Sequence, residues 1–237
     1  MDFFIKHKIV GAVKSTEGSY DLMIAIYVKS YPVVHSFWQN TLKKYGKYFS
    51  KKVFTAFSQE EYYSYRFLLD EKDIKPIILH QWFDSGKRIE INDIDYKLLR
   101  LITENSRLST LDMAKELSTT SSIINYHLKK LRESEIILAY RINLNFPKLG
   151  YFPFKVDIEL NKFDEIDKIL NYIKSNQNFM YLCKTIGYVD LEIGFLLNNS
   201  YQLNQIMESL SNRFPNAIKN YSYFSVIKTF KDYFIKI

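Results

Sequence analysis

The chain has few of the residues that stabilise or catalyse by special chemistry. A single cysteine among 237 residues, Cys183, excludes an intrachain disulfide, and its apolar surroundings point to a buried β-strand thiol in a reducing compartment. The four histidines, His7, His35, His80 and His127, are dispersed, with no pair at metal-ligand spacing. The seven glycines form no phosphate loop, and no serine or cysteine sits in a local nucleophile motif. Neither a metal, a cofactor nor enzymatic activity is therefore expected. No run reaches the ~18 apolar residues that cross a bilayer, and the opening residues lack the apolar stretch of a signal peptide. A cytoplasmic protein without a membrane partner is expected.

Apolar and aromatic residues are abundant, at 47% and 16%, enough to fill more than one core and to suggest two or three compact units. The net charge is +7, but it is spread unevenly. Residues 1–88 carry 14 basic against 9 acidic residues, residues 89–149 carry 9 against 8, and residues 150–237 carry 10 against 9. The densest basic run, Lys43, Lys44, Lys47, Lys51 and Lys52, contains no acid; it is either a solvated helix end or a second phosphate-contacting patch.

One pattern occurs twice. Gly18-Ser-Tyr-Asp21-Leu22 and Gly187-Tyr188-Val189-Asp190-Leu191 each open a succession of apolar strand, helix and Tyr/Phe-rich strand. Between the copies, Ile89 to Gly150 reads as a winged helix-turn-helix. Asp93 caps a helix with Ile94, Leu98, Leu101 and Ile102 at helical spacing, ending near Asn105. Ser109 caps a short second helix, with Asp112 three residues on. Thr120 caps a third, in which Ile124, Leu128 and Leu131 form the buried stripe and Ser121, Ser122, Asn125, Tyr126, Lys129 and Lys130 stay outside. Alternation over Tyr140 to Leu144, after Ile136 and Ile137, predicts a strand pair as the wing. Periodicity alone leaves a DNA reader and an inert three-helix module at even odds.

The run from Ile91 to Leu108, then His127 to Glu133, then Tyr140-Arg141 with Lys148 to Tyr151, resembles the Lrp/AsnC family of transcriptional regulators in order and spacing. That resemblance implies an α+β chain: a winged helix-turn-helix flanked by ferredoxin-like βαββαβ regulation modules, the first incomplete. It implies double-stranded DNA and a small effector such as an amino acid as partners, and a homo-oligomer. The expected units are a partial module at 1–69, a linker at 70–88, the winged helix-turn-helix at 89–150 and a complete module at 151–237. The expected second module has strands near 154–160, 179–185, 190–197 and 219–231 and helices at 164–175 and 201–213.

The resemblance places Ser121, Ser122, Asn125, Tyr126 and His127 nearest bases, and Lys129, Lys130 and Arg132 nearest phosphates, in the major groove. Family members often carry arginines where this chain has Asn125 and His127; Asn can still read adenine. The turns Gly18, Tyr20, Asp21 and Gly187, Tyr188, Asp190 are the expected effector contacts, although glycine and aspartate also serve turns for structural reasons alone.

Aligned on Gly18 and Asp21, the first copy has strands near 8–14, 20–28 and 51–69 and a helix near 33–48, and lacks its first strand and first helix. In the strand order 4-1-3-2 the missing strand is central, so either further sequence upstream of Met1 or a partner is expected to complete the sheet. Asp70 to Asp73 and Asp84 to Gly86 read as turns, and Trp82 as an interdomain anchor. Two other functions stay open: a sensor subunit that does not bind DNA, suggested by the nearly neutral central unit, and a haem-pathway decarboxylase on a similar architecture, for which the sequence offers no basic and histidine cluster.

Overall fold

The computed structural model describes residues 1–69, 75–83 and 89–232. The turns expected at Asp70 to Asp73 and Asp84 to Gly86 lie outside the described residues. The chain runs α1 (Asp2–Lys6), β1 (Val10–Gly18), β2 (Leu22–Ile26), α2 (Tyr31–Tyr45), β3 (Thr55–Tyr63) and β4 (Ile78–Phe83). The helices α3 (Asp93–Glu104), α4 (Thr110–Glu116) and α5 (Ser121–Glu133) follow. The last part is β5 (Phe152–Leu160), α6 (Ile166–Ser175), β6 (Phe179–Gly187), β7 (Leu191–Leu197), α7 (Ser200–Arg213) and β8 (Ile218–Asp232). Among the described residues no helix is long and apolar enough to cross a membrane.

All eight strands form one antiparallel sheet in the order β2-β1-β8-β5-β7-β6-β3-β4. Its middle, β8-β5-β7-β6, is the 4-1-3-2 order of a complete βαββαβ unit. The first copy builds no separate sheet. Without a central strand of its own, it satisfies its backbone on the two edges of the complete unit: β1 pairs with β8, and β3 with β6.

A constant offset of 169 residues (187 − 18) relates the copies, laying β1 on β6, β2 on β7, α2 on α7 and β3 on the last nine residues of β8. The same offset puts α1 on the last turn of α6. Phe3 lies 5.4 Å from Tyr45 as Tyr172 lies 5.8 Å from Phe214, ring centre to ring centre. The expectation that the first copy lacks its whole first helix is therefore corrected: α1 fills the position of its final turn.

Helices α6 and α7 cover one face of the complete unit, where Val156, Ile158, Ile169, Ile193, Leu203 and Leu210 build the main core. Phe4, Val10, Val13 and Phe37 build a smaller one in the first copy. The helix-free face turns inward. Tyr27 follows β2, the first strand in the order, yet after burial the charge of Glu60 on β3, the seventh, helps to raise its pKa. In a flat sheet these strands would stand roughly 29 Å apart at ~4.8 Å per strand, so the sheet must roll its ends toward each other.

The rolled interior is polar. Glu192 accepts from Lys155 Nζ at 2.8 Å and from Tyr181 OH at 2.7 Å, and Tyr20 OH donates to Asp157 at 3.0 Å. Burial pulls the Lys155 pKa down, but the Glu192 charge and hydrogen bond outweigh it and the net shift is upward. Cys183 is buried as expected; burial, then Glu192, pushes its thiol pKa far up.

The three central helices enclose a separate core of Leu98, Leu99, Ile102, Met113, Ile124, Leu128 and Leu131. Asn92, not Asp93, caps α3 and forms a capping box with Asp95. The expected wing strands are absent: residues 134–145 contain no strand, because the alternating Tyr140 to Leu144 finds no pairing edge. Instead Arg141 lies 4.1 Å from the ring centre of Tyr62, and Phe146 and Tyr151 pack against Tyr65 and Phe67, holding this segment to the tail of β3. Trp82 is also corrected: it sits 39% exposed on the outer strand β4 and anchors nothing described.

Candidate functional site

Helix α5 is set by its cap and its buried stripe. Thr120 Oγ1 accepts the Ile123 N–H at 3.3 Å, and Ser118, at φ 51°, turns the chain out of α4. Ile124, Leu128 and Leu131 point into the core. Ser122, Asn125, Tyr126, Lys129 and Arg132 lie exposed along the opposite face, with Ser121 half-buried at its start. These side chains form one polar, basic strip. Arg132 is partly committed, its Nε donating to Leu128 O at 3.2 Å.

His127 departs from expectation. It is 7% exposed, and its Nδ1 stands 2.6 Å from Oδ1 of Asp95, itself fully buried at the start of α3. Lys130 is half-buried and donates to the other oxygen of Asp95 at 2.7 Å. The reason is helical geometry: 124, 127, 128 and 131 share one face, and Asp95 supplies the buried acceptor that makes a histidine tolerable there. Burial raises the Asp95 pKa, but the hydrogen bonds from Lys130, His127 and the Asn92 N–H outweigh it and hold the carboxylate below its usual range. Asp95 thus bolts α5 to α3. Sequence reasoning read it only as one of several early acids, although its place three residues after Asn92 marks it as a first-turn carboxylate.

The two sheet turns form the second candidate region. Gly18 (φ 109°) and Gly187 (φ 129°) both adopt left-handed backbone, and a Cβ would lie 2.6 Å from Tyr223 O at the first and 2.7 Å from Phe54 O at the second. Both glycines are thus required by close approach to the neighbouring strand. Thr16 and Thr185 close the turns identically, each Oγ1 donating at 2.6 Å, to Tyr20 O and Val189 O.

The turn side chains are largely committed. Asp190 accepts the Leu160 N–H at 2.7 Å, which fastens the end of β5 and leaves it poorly placed to hold an effector ammonium. Tyr20 is bound to Asp157, and its pKa is raised by burial and then by that carboxylate. Tyr188 OH accepts from Lys51 at 3.0 Å, so Lys51 of the basic run serves a turn. Asp21 is exposed, and its carboxylate has no partner among the described residues. The turns come together, since Tyr188 contributes to the electrostatics of Tyr20. Among the described residues no group of three His, Cys, Asp or Glu side chains could hold a metal ion.

The winged helix-turn-helix DNA-binding family matches residues 91–137. Relatives by sequence are HTH-type transcriptional regulators. An uncharacterized one from Pyrococcus furiosus is 41% identical over 63 residues, covering 27% of this chain and 43% of its own length, so the chain spans less than half of that relative. Among solved structures, AsnC of E. coli superposes with a TM-score of 0.55 at 19% identity, over 63% of this chain and 100% of that one. A transcriptional regulator from Neisseria meningitidis, solved as an L-Met complex, does so with a TM-score of 0.55 at 13% identity, over 62% and 96%. At these identities the likeness shows a shared fold. The helix-turn-helix and the α+β sheet unit read from the sequence are both present.

Proposed function

We propose that this chain is a DNA-binding transcriptional regulator of the Lrp/AsnC type, working in the cytoplasm, that uses α5 as its recognition helix. The carrying observation is the exposed strip Ser122, Asn125, Tyr126, Lys129 and Arg132 on a properly capped helix, inside the segment matched by the winged helix-turn-helix family. Asn125 and the serines stand where base edges would lie, and Lys129 and Arg132 where phosphates would lie. His127 and Lys130 act from behind the helix, fixing its pose through Asp95. Each chain carries one such helix, so a homo-oligomer would supply the second, about one DNA turn (~34 Å) away.

The effector is a small molecule, an amino acid by analogy with the L-Met complex of the Neisseria relative. Backbone N–H groups around Gly18 and Gly187, with Tyr188 and Asp21, are its candidate contacts; Asp190 and Tyr20 contribute through the turns they hold. An effector favouring one arrangement of the turns would shift DNA affinity by its difference in affinity for the two states.

The test is titration of the intact chain with DNA from upstream of its own gene and with shuffled DNA, across a salt series. Preferential binding with a steep salt slope is expected. Lys129→Ala with Arg132→Ala should flatten that slope by roughly 2, one for each phosphate that is no longer neutralised. Asn125→Ala should relax sequence preference, whereas Lys130→Ala should leave the slope nearly intact and lower thermal stability. A second reading, a sensor subunit that does not bind DNA, is favoured by the capture of Lys130 and His127 within the fold. Absence of binding at low salt by folded protein would establish that reading over the first.

A further inference from the structure

The offset between the copies predicts where a strand equivalent to β5 would lie in the first copy: between the outer edge of β2 and the outer edge of residues 51–58. No described strand is there. Four observations on the surrounding residues mark this gap. Every residue of β7 is buried, whereas every residue of its counterpart β2 is only half-buried. Residues 220–223 pair with β5 inside β8, whereas their counterparts Lys51, Lys52, Val53 and Phe54 are not in a strand at all. Phe54 and Phe57 are 52% and 41% exposed. Asp190 accepts the Leu160 N–H of β5, whereas its counterpart Asp21 has nothing to accept among the described residues.

We propose that this seam is a docking slot for an extended segment of a separate polypeptide, apolar on both faces. Its backbone would pair antiparallel with β2 and with residues 53–58, and Asp21 would accept an N–H near its C-terminal end.

The chemistry of the occupant follows from transposed neighbours. On the helix side, Phe154, Val156 and Ile158 of β5 pair with Phe195, Ile193 and Leu191 of β7. The corresponding slot positions meet Ile26, Ile24 and Leu22. On the inner side the copies part company. Lys155 pairs with Gly194 and Phe224, and Asp157 with Glu192 and Ser222. The corresponding slot positions meet Ala25 and Thr55, then Met23 and Val53. The acid that holds Lys155 is thus a methionine here, and the serine beside Asp157 a valine. A charged residue at either place would be buried without a counterion, at prohibitive cost. Burial on both faces of a central strand calls for a continuous apolar run.

A second copy of this chain does not meet the requirement. Its β5 carries Lys155 and Asp157, and its apolar β2 has one edge already bonded to β1, so it cannot pair on both sides. The occupant is therefore a strand with both edges free.

The experiment uses the intact chain and a fluorescent peptide with the sequence of residues 151–161 carrying Lys155→Val and Asp157→Val. The unsubstituted peptide and a scrambled one serve as controls. Saturable binding at one peptide per chain is expected, at least tenfold tighter than for the unsubstituted peptide. Asp21→Ala should weaken it about tenfold. Bound peptide should slow amide exchange in residues 22–26 and 53–58. Absence of binding by folded protein would overturn the proposal. So would equal binding of all three peptides, insensitivity to Asp21→Ala, or protection confined to the outer edge of β4.

Discussion

Strands β2 and β7 are the same element built twice. Both follow a Gly-x-x-Asp turn, both lead into a helix, and both carry leucine then isoleucine at the first and third positions. Yet β7 is bonded on both edges and wholly buried, while β2 is bonded on one and half-buried throughout. Repeated sequence specifies the kind of element and its local turn; the energy stored there depends on the neighbours the fold supplies.

The sharpest way to break this comparison is truncation at matched positions. Ile193→Ala should cost about 4 kcal/mol, within the range for a fully buried isoleucine, and Ile24→Ala about half that. Urea unfolding measures both, and equal losses would mean that the two halves are equally packed. The turns should behave oppositely. Gly18→Ala and Gly187→Ala share the left-handed backbone and the close approach, so each should cost a similar amount, about 2–3 kcal/mol; a marked asymmetry would deny their equivalence.

Asp157 belongs only to the complete half. Burial, then the neighbouring Glu192 charge, raises its pKa to about 6. A carboxyl raised on folding favours the folded state while protonated, so this contribution fades as pH climbs from the ordinary value of 3.8 through about 6. Asp157→Asn should therefore match the parent near pH 3.5, gain on it between pH 4 and 6, and level off about 2 kcal/mol more stable. Thermal melts across that range check the sign. The smallest contrast lies in the aspartates: Asp190→Ala leaves the Leu160 N–H unpaired and should cost about 1–2 kcal/mol, whereas Asp21→Ala should stay within roughly 0.5 kcal/mol.

Much of the fold was legible in short-range pattern. The caps at Ser109 and Thr120, the three central helices and the βαββαβ succession are local features, and their spacing reveals them. The merging of both copies into one sheet was not legible, because pairings such as Ala12 with Asp232 leave no mark on either strand. The wing failed for a related reason: Tyr140 to Leu144 alternates like a strand, but alternation cannot say whether an edge is available. His127 was misjudged although the signal was present, since its place between Ile124 and Leu131 already puts it on the buried face. The polar interior misled in the opposite direction. Lys155 and Asp157 alternate with apolar residues as on a solvated sheet, and only the rolling of the sheet encloses them.

The pairing of β1 with β8 also imposes an order in time. Gly18 leaves the ribosome about 200 residues before Phe224, the residue it must meet. At ~5–20 residues per second, β1 and β2 wait roughly 10–40 s for the edge that receives them. Throughout synthesis the first strands are a nascent, sticky hairpin, and release of the finished chain, not emergence of the first copy, is the event that lets the sheet close.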